Sequence, residues 1–303
     1  MCAFYRTRGL RLISMTLLNI IILAIVQGFA ELLPVSSSAH VVVAEKLLHL
    51  DPSSPPMTLL LVMLHTGTMF AVIVYFWSQW RTTYFSSAPA FKRAAMLVVV
   101  ATVFTGIVGG ALVKVIEKSA RGSGPGVEVE DLFSHLELIA PALAAAGALI
   151  LFAGIIERRR AARPRAERSE LSGTQAGIIG AVQGLCLPFR GFSRSGATIS
   201  TGMLLRVEKS RAEAFSFALA VILTPLVVAR EALRLVHWEQ AGKAAGLEPV
   251  ALLSLLGALL AFGTGLLALR WLSRWLEGGR WYLFGVYCLV AAAVVAWMHH
   301  LGY

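Results

Sequence analysis

Six long apolar runs dominate this chain and restrict it to folds that can be built inside a lipid bilayer. They extend over residues 57–77, 93–115, 136–156, 212–236, 249–269 and 281–298. Each run is long enough for an α-helix to cross a hydrocarbon core about 30 Å thick. Hydrophobic residues make up 57% of the 303 residues and charged residues only 15%, whereas soluble domains average about 25% charged residues. The sequence therefore predicts an all-α integral membrane protein with six transmembrane helices.

Two further segments, residues 19–48 and 173–205, are apolar but contain a polar interruption. The first interruption holds Glu31, Pro34 and three consecutive serines, and the second holds Arg194 between two serines. Proline and clustered serines are poor helix interiors, so we expect a helix to end at each interruption. Polar backbone at membrane depth is tolerated where it lines a cavity inside the protein. We therefore predict two re-entrant helical hairpins, with eight simple spans as the competing interpretation.

The net charge of +10 is explained by membrane topology. If both segments are hairpins, the loops on one side of the membrane carry fifteen cations. These are Arg81, Lys92, Arg93, Arg158, Arg159, Arg160, Arg163, Arg165, Arg168, Arg206, Lys209, Arg211, Arg270, Arg274 and Arg280. The opposite loops, residues 118–135 and 238–248, carry Lys118, Arg121 and Lys243. The positive-inside rule places the first set in the cytoplasm. Nucleic acid is excluded as a partner, because the cations are not interleaved with aromatic residues or arranged on a recognition helix.

This topology predicts an inverted repeat within one membrane domain, residues 1–303. The first hairpin enters from the outer face and the second from the cytoplasm, and each is followed by three spans. The repeats cover about residues 15–157 and 172–303, joined by a basic cytoplasmic linker, residues 158–171. Broken helices of this kind form binding sites near the middle of the membrane in transporters. We therefore expect the functional site where the two hairpin tips meet.

The basic residues at the start of the chain do not fit this topology. Arg6, Arg8 and Arg11 would lie outside the cell. A signal peptide cleaved after Ala30 is a weaker explanation, because cleavage there would destroy the first hairpin. The favoured hypothesis is that translation starts at Met15.

Both polar interruptions resemble signatures of a known family. Residues 31–40, ELLPVSSSAH, resemble the first signature of the bacterial undecaprenyl-diphosphate phosphatases of the bacitracin-resistance type. Residues 191–198, GFSRSGAT, resemble the second, and RAEAFSF at residues 211–217 extends the similarity. The resemblance implies removal of the terminal phosphate of undecaprenyl diphosphate, which recycles the lipid carrier for peptidoglycan synthesis. It also implies a bacterial inner-membrane enzyme with its site open to the periplasm.

The second signature is the expected head-group site. Arg194 offers a planar fork to phosphate oxygens and stays charged when buried. If Ala197 begins a helix, backbone amides of the first turn add donors for the anion. The other expected substrate-binding residues are Ser193, Ser195, Gly196 and Thr198, together with Ser36 and Ser38 of the first signature. For Ser36 and Ser38, capping of the following helix is the alternative role.

Glu31 and Gln27 are the expected metal ligands. They are four residues apart and so share one helical face. Their oxygens suit Mg²⁺ or Ca²⁺ against a diphosphate. The family resemblance implies glutamate at the position of Gln27, and the amide brings no charge, so we expect weak metal binding. A purely structural ion pair between Glu31 and Arg194 is the alternative.

Ser37 and His40 are the expected reacting pair. If His40 starts the following helix, its ring can reach the Ser37 hydroxyl. In one scheme Ser37 attacks the terminal phosphorus and His40 takes its proton. In the other, His40 activates water and Ser37 only binds phosphate. The remaining histidines show no ligand spacing and are interpreted as loop or interface residues: His49, His65, His135, His237, His299 and His300.

A second departure from the family pattern adds a cation. Phe189 and Arg190 lie between Pro188 and Gly191, where the resemblance implies glycine directly after the proline. We hypothesise that Arg190 partly replaces the divalent metal; the alternative is that it points to lipid head groups. The two departures leave open a catalytically weakened relative that binds the lipid diphosphate but hydrolyses it slowly. A carrier or flippase of a lipid phosphate is the alternative from another class. The expected partners are a polyprenyl diphosphate and membrane lipids, with a homodimer left open.

Overall fold

The computed structural model describes residues 16–52, 54–120, 136–161, 170–240 and 247–302, and their secondary structure is almost entirely α-helical. Within these ranges the chain forms ten α-helices, numbered in chain order. They are α1 (Leu17–Leu32), α2 (Ser37–Leu47), α3 (Pro55–Thr83), α4 (Ala88–Ala120), α5 (Leu136–Ala161), α6 (Gly173–Cys186), α7 (Arg194–Leu204), α8 (Lys209–Gln240), α9 (Leu247–Glu277) and α10 (Tyr282–His300). The hypothetical start at Met15 and most of the basic linker lie outside the described residues.

Six of these helices, α3, α4, α5, α8, α9 and α10, are long and apolar enough to cross a membrane. This confirms the six predicted spans. Their outer faces expose large apolar side chains, including Phe70, Leu226 and Leu252. Exposed apolar surface costs about 25 cal/mol per Å² in water but nothing comparable against lipid tails. The chain is therefore a multi-pass helical membrane protein.

The other four described helices are short and come in two consecutive pairs, α1 with α2 and α6 with α7. With 16 residues, α1 is about 24 Å long at 1.5 Å per residue. The helices α2, α6 and α7 have 11, 14 and 11 residues. Each is shorter than the roughly 20 residues that a straight span requires. The order of two short helices followed by three long ones thus occurs twice.

The helices that follow the two breaks, α2 and α7, each begin three residues earlier than predicted. Ser36 has a φ of 69°, which turns the chain so that α2 starts at Ser37 instead of His40. In the second break, the Ser193 hydroxyl accepts a hydrogen bond from the Gly196 N–H at 3.2 Å. This serine cap starts α7 at Arg194, three residues before the predicted Ala197. Arg194 therefore lies in the first turn of a helix.

Both short pairs pack on a long helix through the glycine of a Val-Gln-Gly sequence. A Cβ atom at Gly28 of α1 would overlap Thr264 Oγ1 of α9. At Gly184 of α6, a Cβ atom would lie 2.7 Å from the carbonyl oxygen of Thr105 of α4. Only glycine permits these approaches. They fix α1 against α9 and α6 against α4, and so determine where the two breaks meet.

Candidate active site

The end of α1 and the start of α7 meet through an ion pair. Arg194 Nη2 lies 3.2 Å from Glu31 Oε1, although the two residues are 163 positions apart. Both side chains are mostly buried but keep some exposure, 22% for Arg194 and 16% for Glu31. The two polar interruptions of the sequence are therefore within reach of one phosphate group.

Glu31 also organises two neighbours on its own hairpin. The Ser37 hydroxyl donates to Glu31 Oε2 at 2.6 Å, and the Gln27 amide donates to the same oxygen at 3.2 Å. A short hydrogen bond from a hydroxyl to a carboxylate orients the hydroxyl and prepares a path for its proton. The Ser37 proton can therefore pass to a carboxylate.

The two breaks are bound to each other by further polar contacts. The Gly191 N–H donates to Ser38 Oγ at 3.2 Å, and the Ser195 hydroxyl donates to the Leu33 carbonyl at 3.4 Å. The hydroxyls of Ser36 and Ser38 lie 3.2 Å apart. These bonds hold the serine run of the first break against the arginine-bearing tip of the second.

A cavity of about 240 Å³ lies between the breaks. Its lining contains one carboxylate, two guanidinium groups and five serine hydroxyls. Eight of the predicted site residues line it: Glu31, Ser36, Ser37, Ser38, Arg190, Ser193, Arg194 and Ser195. Arginines with hydroxyl donors are the groups that proteins use for phosphate. The cavity suits a small, strongly charged anion.

Two of the predicted substrate-binding residues are engaged in the protein interior instead. The Thr198 hydroxyl donates to the Arg194 carbonyl at 2.8 Å and lies 2.6 Å from Ser216 Oγ on α8. A Cβ atom at Gly196 would lie 2.5 Å from Ile150 Cδ1 of α5. Because α7 starts earlier than predicted, these two positions fall on its packing face.

The ring of His40 does not take up the predicted contact with Ser37. Its Nδ1 lies 2.8 Å from the Ser36 carbonyl oxygen, and its Nε2 lies 2.7 Å from the Tyr287 hydroxyl. The difference follows from the start of α2 at Ser37, which turns position 40 toward α10. His40 lines a separate apolar cavity of about 510 Å³ together with Tyr287.

His65 is a site residue that the sequence interpretation missed. It lies on α3, and its Nε2 is 3.8 Å from Glu31 Oε2. An available signal was its position inside an apolar span, where an ionisable side chain indicates a functional site. Its protonated form would add positive charge beside the carboxylate.

Arg190, the residue added within the second break, lines the same cavity as Arg194. Its positive charge also favours the ionised form of Glu45, a buried carboxylate of α2. The partial replacement of the divalent metal by Arg190 stays a prediction.

The predicted metal ligands fit a cation only in part. Glu31 lines the cavity, but Gln27 turns its amide nitrogen toward that carboxylate. The amide oxygen of Gln27 is buried without a hydrogen-bond partner among the described residues, and so is that of Gln183. No group of three or more His, Cys, Asp or Glu side chains suited to a metal occurs in the described part of the chain. Glu31 can hold a cation whose other ligands are phosphate oxygens.

Comparison with known proteins assigns the chain to a family. Residues 20–294 match the family model described as bacitracin resistance protein BacA, and the chain belongs to this family. It is 54% identical over 285 residues to undecaprenyl-diphosphatase 2 of Acinetobacter baylyi, covering 93% of this chain and 98% of that protein. Undecaprenyl-diphosphatase 1 of Burkholderia pseudomallei is 33% identical over 289 residues, covering 91% and 95%. An undecaprenyl-diphosphatase of Desulfosudis oleivorans is 32% identical over 295 residues, covering 92% and 97%.

Proposed function

We propose that this chain is a membrane phosphohydrolase that removes the terminal phosphate of undecaprenyl diphosphate and returns undecaprenyl phosphate for peptidoglycan synthesis. The observation that carries the proposal is the Glu31–Arg194 contact at 3.2 Å with Ser37 bonded to the same carboxylate. The names of the relatives support this substrate.

Arg194 binds the head group in this proposal. In the free protein its guanidinium is paired with Glu31. An incoming diphosphate carries more negative charge than one carboxylate, so it competes for the guanidinium. The Ser193 hydroxyl already accepts the Gly196 N–H, so the N–H groups of Arg194 and Ser195 at the start of α7 would be the backbone donors to the anion. Binding thus transfers Arg194 from the carboxylate to the phosphate.

Ser37 is the proposed nucleophile and Glu31 its proton acceptor. As the guanidinium moves to the substrate, it releases Glu31 Oε1, while Oε2 keeps the Ser37 hydrogen bond and takes the proton as the new P–O bond forms. The Ser37 oxygen bonds to the terminal phosphorus while the bridging P–O bond breaks, and undecaprenyl phosphate leaves. Water then hydrolyses the phosphoserine and releases inorganic phosphate. In the rival scheme a water molecule attacks directly and Ser37 is a phosphate ligand.

A divalent cation, Mg²⁺ or Ca²⁺, is the proposed cofactor. It would be held by Glu31 together with diphosphate oxygens, and Gln27 would hold the carboxylate in place from behind. When bound, the cation would neutralise charge on the diphosphate. Arg190 and Arg194 supply part of the same neutralisation from the protein itself.

We also propose that the two hairpins are re-entrant and belong to an inverted repeat. Matching each of the first five helices to the helix five places later relates the packing of α1 on α9 to that of α6 on α4. The same match relates the helix pair α1–α2 to α6–α7. It maps the packing of α3 on α8 onto itself, and likewise the packing of α5 on α10. The two Val-Gln-Gly contacts agree with this correspondence.

The site is proposed to open to the periplasm. Cationic helix ends lie together at one end of the molecule, since Lys209 pairs with Glu157 at 3.2 Å and Arg160 donates to the Leu204 carbonyl. The Gln79 amide donates to the Ser210 carbonyl at 3.2 Å, which brings the end of α3 to the same place. The positive-inside rule assigns this end to the cytoplasm, so the first hairpin enters from the opposite side.

The test of the function is phosphate release from undecaprenyl diphosphate by the purified protein in nanodiscs. Arg194→Ala and Glu31→Ala are expected to lower kcat/KM at least about hundredfold, because each removes charge that acts on the transferring phosphate. Arg93→Ala is the matched control, since Arg93 pairs with Glu170 at 2.7 Å outside the site. A folded protein that binds the lipid but releases no phosphate would indicate a carrier instead.

A further inference from the structure

Two adjacent residues of α10 contact the first break and the helix that follows it, although α10 lies at the other end of the chain. The Tyr287 hydroxyl is 2.7 Å from His40 Nε2, and the two rings are stacked at 5.7 Å with an interplanar angle of 11°. The neighbouring thiol, Cys288 Sγ, lies 3.3 Å from the Pro34 carbonyl oxygen. The last helix therefore supports the segment that carries the reacting serine.

The hydrogen bonds of His40 determine which ring nitrogen carries the proton. The partner of Nδ1 is the Ser36 carbonyl oxygen at 2.8 Å, and a carbonyl oxygen can only accept. Nδ1 is therefore protonated in the neutral ring. Nε2 is then the acceptor, and the Tyr287 hydroxyl donates to it. The basic nitrogen of His40 consequently faces Tyr287, away from the Ser37–Glu31 hydrogen bond.

Ser36, the residue that His40 holds, has an unfavourable backbone conformation. Its φ of 69° lies in the left-handed region. This conformation costs a non-glycine residue about 1 to 3 kcal/mol and persists only where the surrounding structure holds it. The next residue is Ser37, whose hydroxyl lies 2.6 Å from Glu31. If Ser36 relaxed to a negative φ, the direction of the following residue would change and this hydrogen bond would be lost.

We propose that Tyr287 and His40 form a positioning relay that holds Ser36 in its left-handed conformation and so aims Ser37 at Glu31. His40 is then a positioning residue, and Tyr287 fixes its tautomer and ring plane, as an outer partner does for a metal-binding histidine. Tyr287 has this role although it lies in an ordinary apolar helix outside both polar signatures. This inference rests on the proposed function, because it assigns roles in the same reaction.

The first test measures the relay in the wild-type protein and does not depend on enzymatic activity. Nitrogen-15 NMR of the intact wild-type protein in nanodiscs, with the His40 signal identified by its loss in His40→Asn, reports the tautomer. We expect protonation at Nδ1. Protonation of Nε2 in the neutral ring would overturn the relay. If the wild-type protein released no phosphate, the proposed function would fail while this measurement still decided the relay.

The second test separates positioning from proton transfer. Asparagine at position 40 can place an amide N–H near the position of Nδ1 but cannot act as a base. We expect His40→Asn to keep kcat within about fivefold of wild type and His40→Ala to lower it about thirtyfold, the loss expected from releasing strain of this size. If His40 were the base, both variants would fall by about 10²-fold or more. Equal, large losses in the two variants would therefore refute the proposal.

The third test concerns Tyr287. Tyr287→Phe keeps the stacked ring and removes the hydroxyl, so we expect kcat to fall about threefold to tenfold with KM nearly unchanged. Tyr75→Phe is the matched control, because the Tyr75 hydroxyl donates to Ser273 at 2.9 Å among helices away from the cavity. It is expected to keep wild-type kcat. If Tyr287→Phe matched that control, the tyrosine would have no positioning role.

Discussion

The break between α1 and α2 and the break between α6 and α7 meet at one site but are built differently. The first contains four residues, 33–36, and its one left-handed residue is a serine. The second contains seven residues, 187–193, and its left-handed residue is Gly191, with a φ of 100°. Glycine adopts this conformation without strain. The first break must be held by contacts from other helices, whereas the second depends mainly on its own backbone.

The charges at the breaks oppose the local helix dipoles. Glu31 lies one residue before the end of α1, where a carboxylate is disfavoured, and Arg194 is the first residue of α7, where a cation is disfavoured. Each placement costs about 0.3 to 1 kcal/mol. In the free protein the two charges compensate each other. A phosphate at the start of α7 would relieve the conflict there, so the free site is prepared for an anion.

Removing the Ser37 hydroxyl, which directly follows the first break, is expected to have the largest effect. If Ser37 is the nucleophile, Ser37→Ala should lower kcat at least about thousandfold, as loss of an attacking group does in other hydrolases. The measurement is single-turnover phosphate release, together with mass spectrometry for phosphoserine at position 37. A loss below about tenfold and no phosphoserine would favour direct attack by water.

A change in the backbone of the second break is expected to have an intermediate effect. Gly191→Ala forces a strained φ, and the new Cβ would lie 2.5 Å from the Ile139 carbonyl oxygen. We expect a loss of about 3 kcal/mol in stability and about tenfold in kcat/KM, because the Gly191–Ser38 hydrogen bond is disturbed.

Gly279→Ala is the matched control for this change. Its φ of 68° is also left-handed, but no neighbouring atom lies within 4 Å of the position of the new Cβ in the described structure. It should cost about 1 kcal/mol in thermal melts and leave kcat/KM unchanged. Equal effects of the two substitutions on activity would show that the second tip does not position the site.

The smallest expected effect comes from the cation added to the second break. Arg190→Ala should raise KM about threefold to fivefold, because Arg194 still binds the phosphate. Wild type should keep part of its activity in EDTA, and the variant should lose that remainder. The assay is initial rate against EDTA concentration. Complete loss of wild-type activity in EDTA would contradict a metal-replacing role for Arg190.

Local sequence patterns were sufficient for the six long helices and for several of the residues that line the cavity. The predicted spans coincide with the six long helices because apolar length alone defines a membrane span. Glu31, Ser37 and Arg194 were found because charged and hydroxyl groups inside apolar segments require a shared polar cavity.

Such patterns could not predict which residues of distant helices contact one another. A shift of three residues in the start of α2 redirected His40 from Ser37 to Tyr287. The same kind of shift placed Thr198 against α8. No short-range pattern marks Tyr287, whereas the position of His65 inside an apolar span does indicate a functional residue.

The sequence by itself determined the membrane class, the number of spans, the two breaks and the acidic, hydroxyl and basic groups they carry. These properties follow from hydrophobicity and backbone preferences, which act over a few residues. Only the tertiary structure decided that Glu31 takes the Ser37 hydrogen bond, that His65 approaches the same carboxylate, and that α10 supports the first break. Such pairings depend on helix ends and rotations to within one residue, and packing between remote segments sets those.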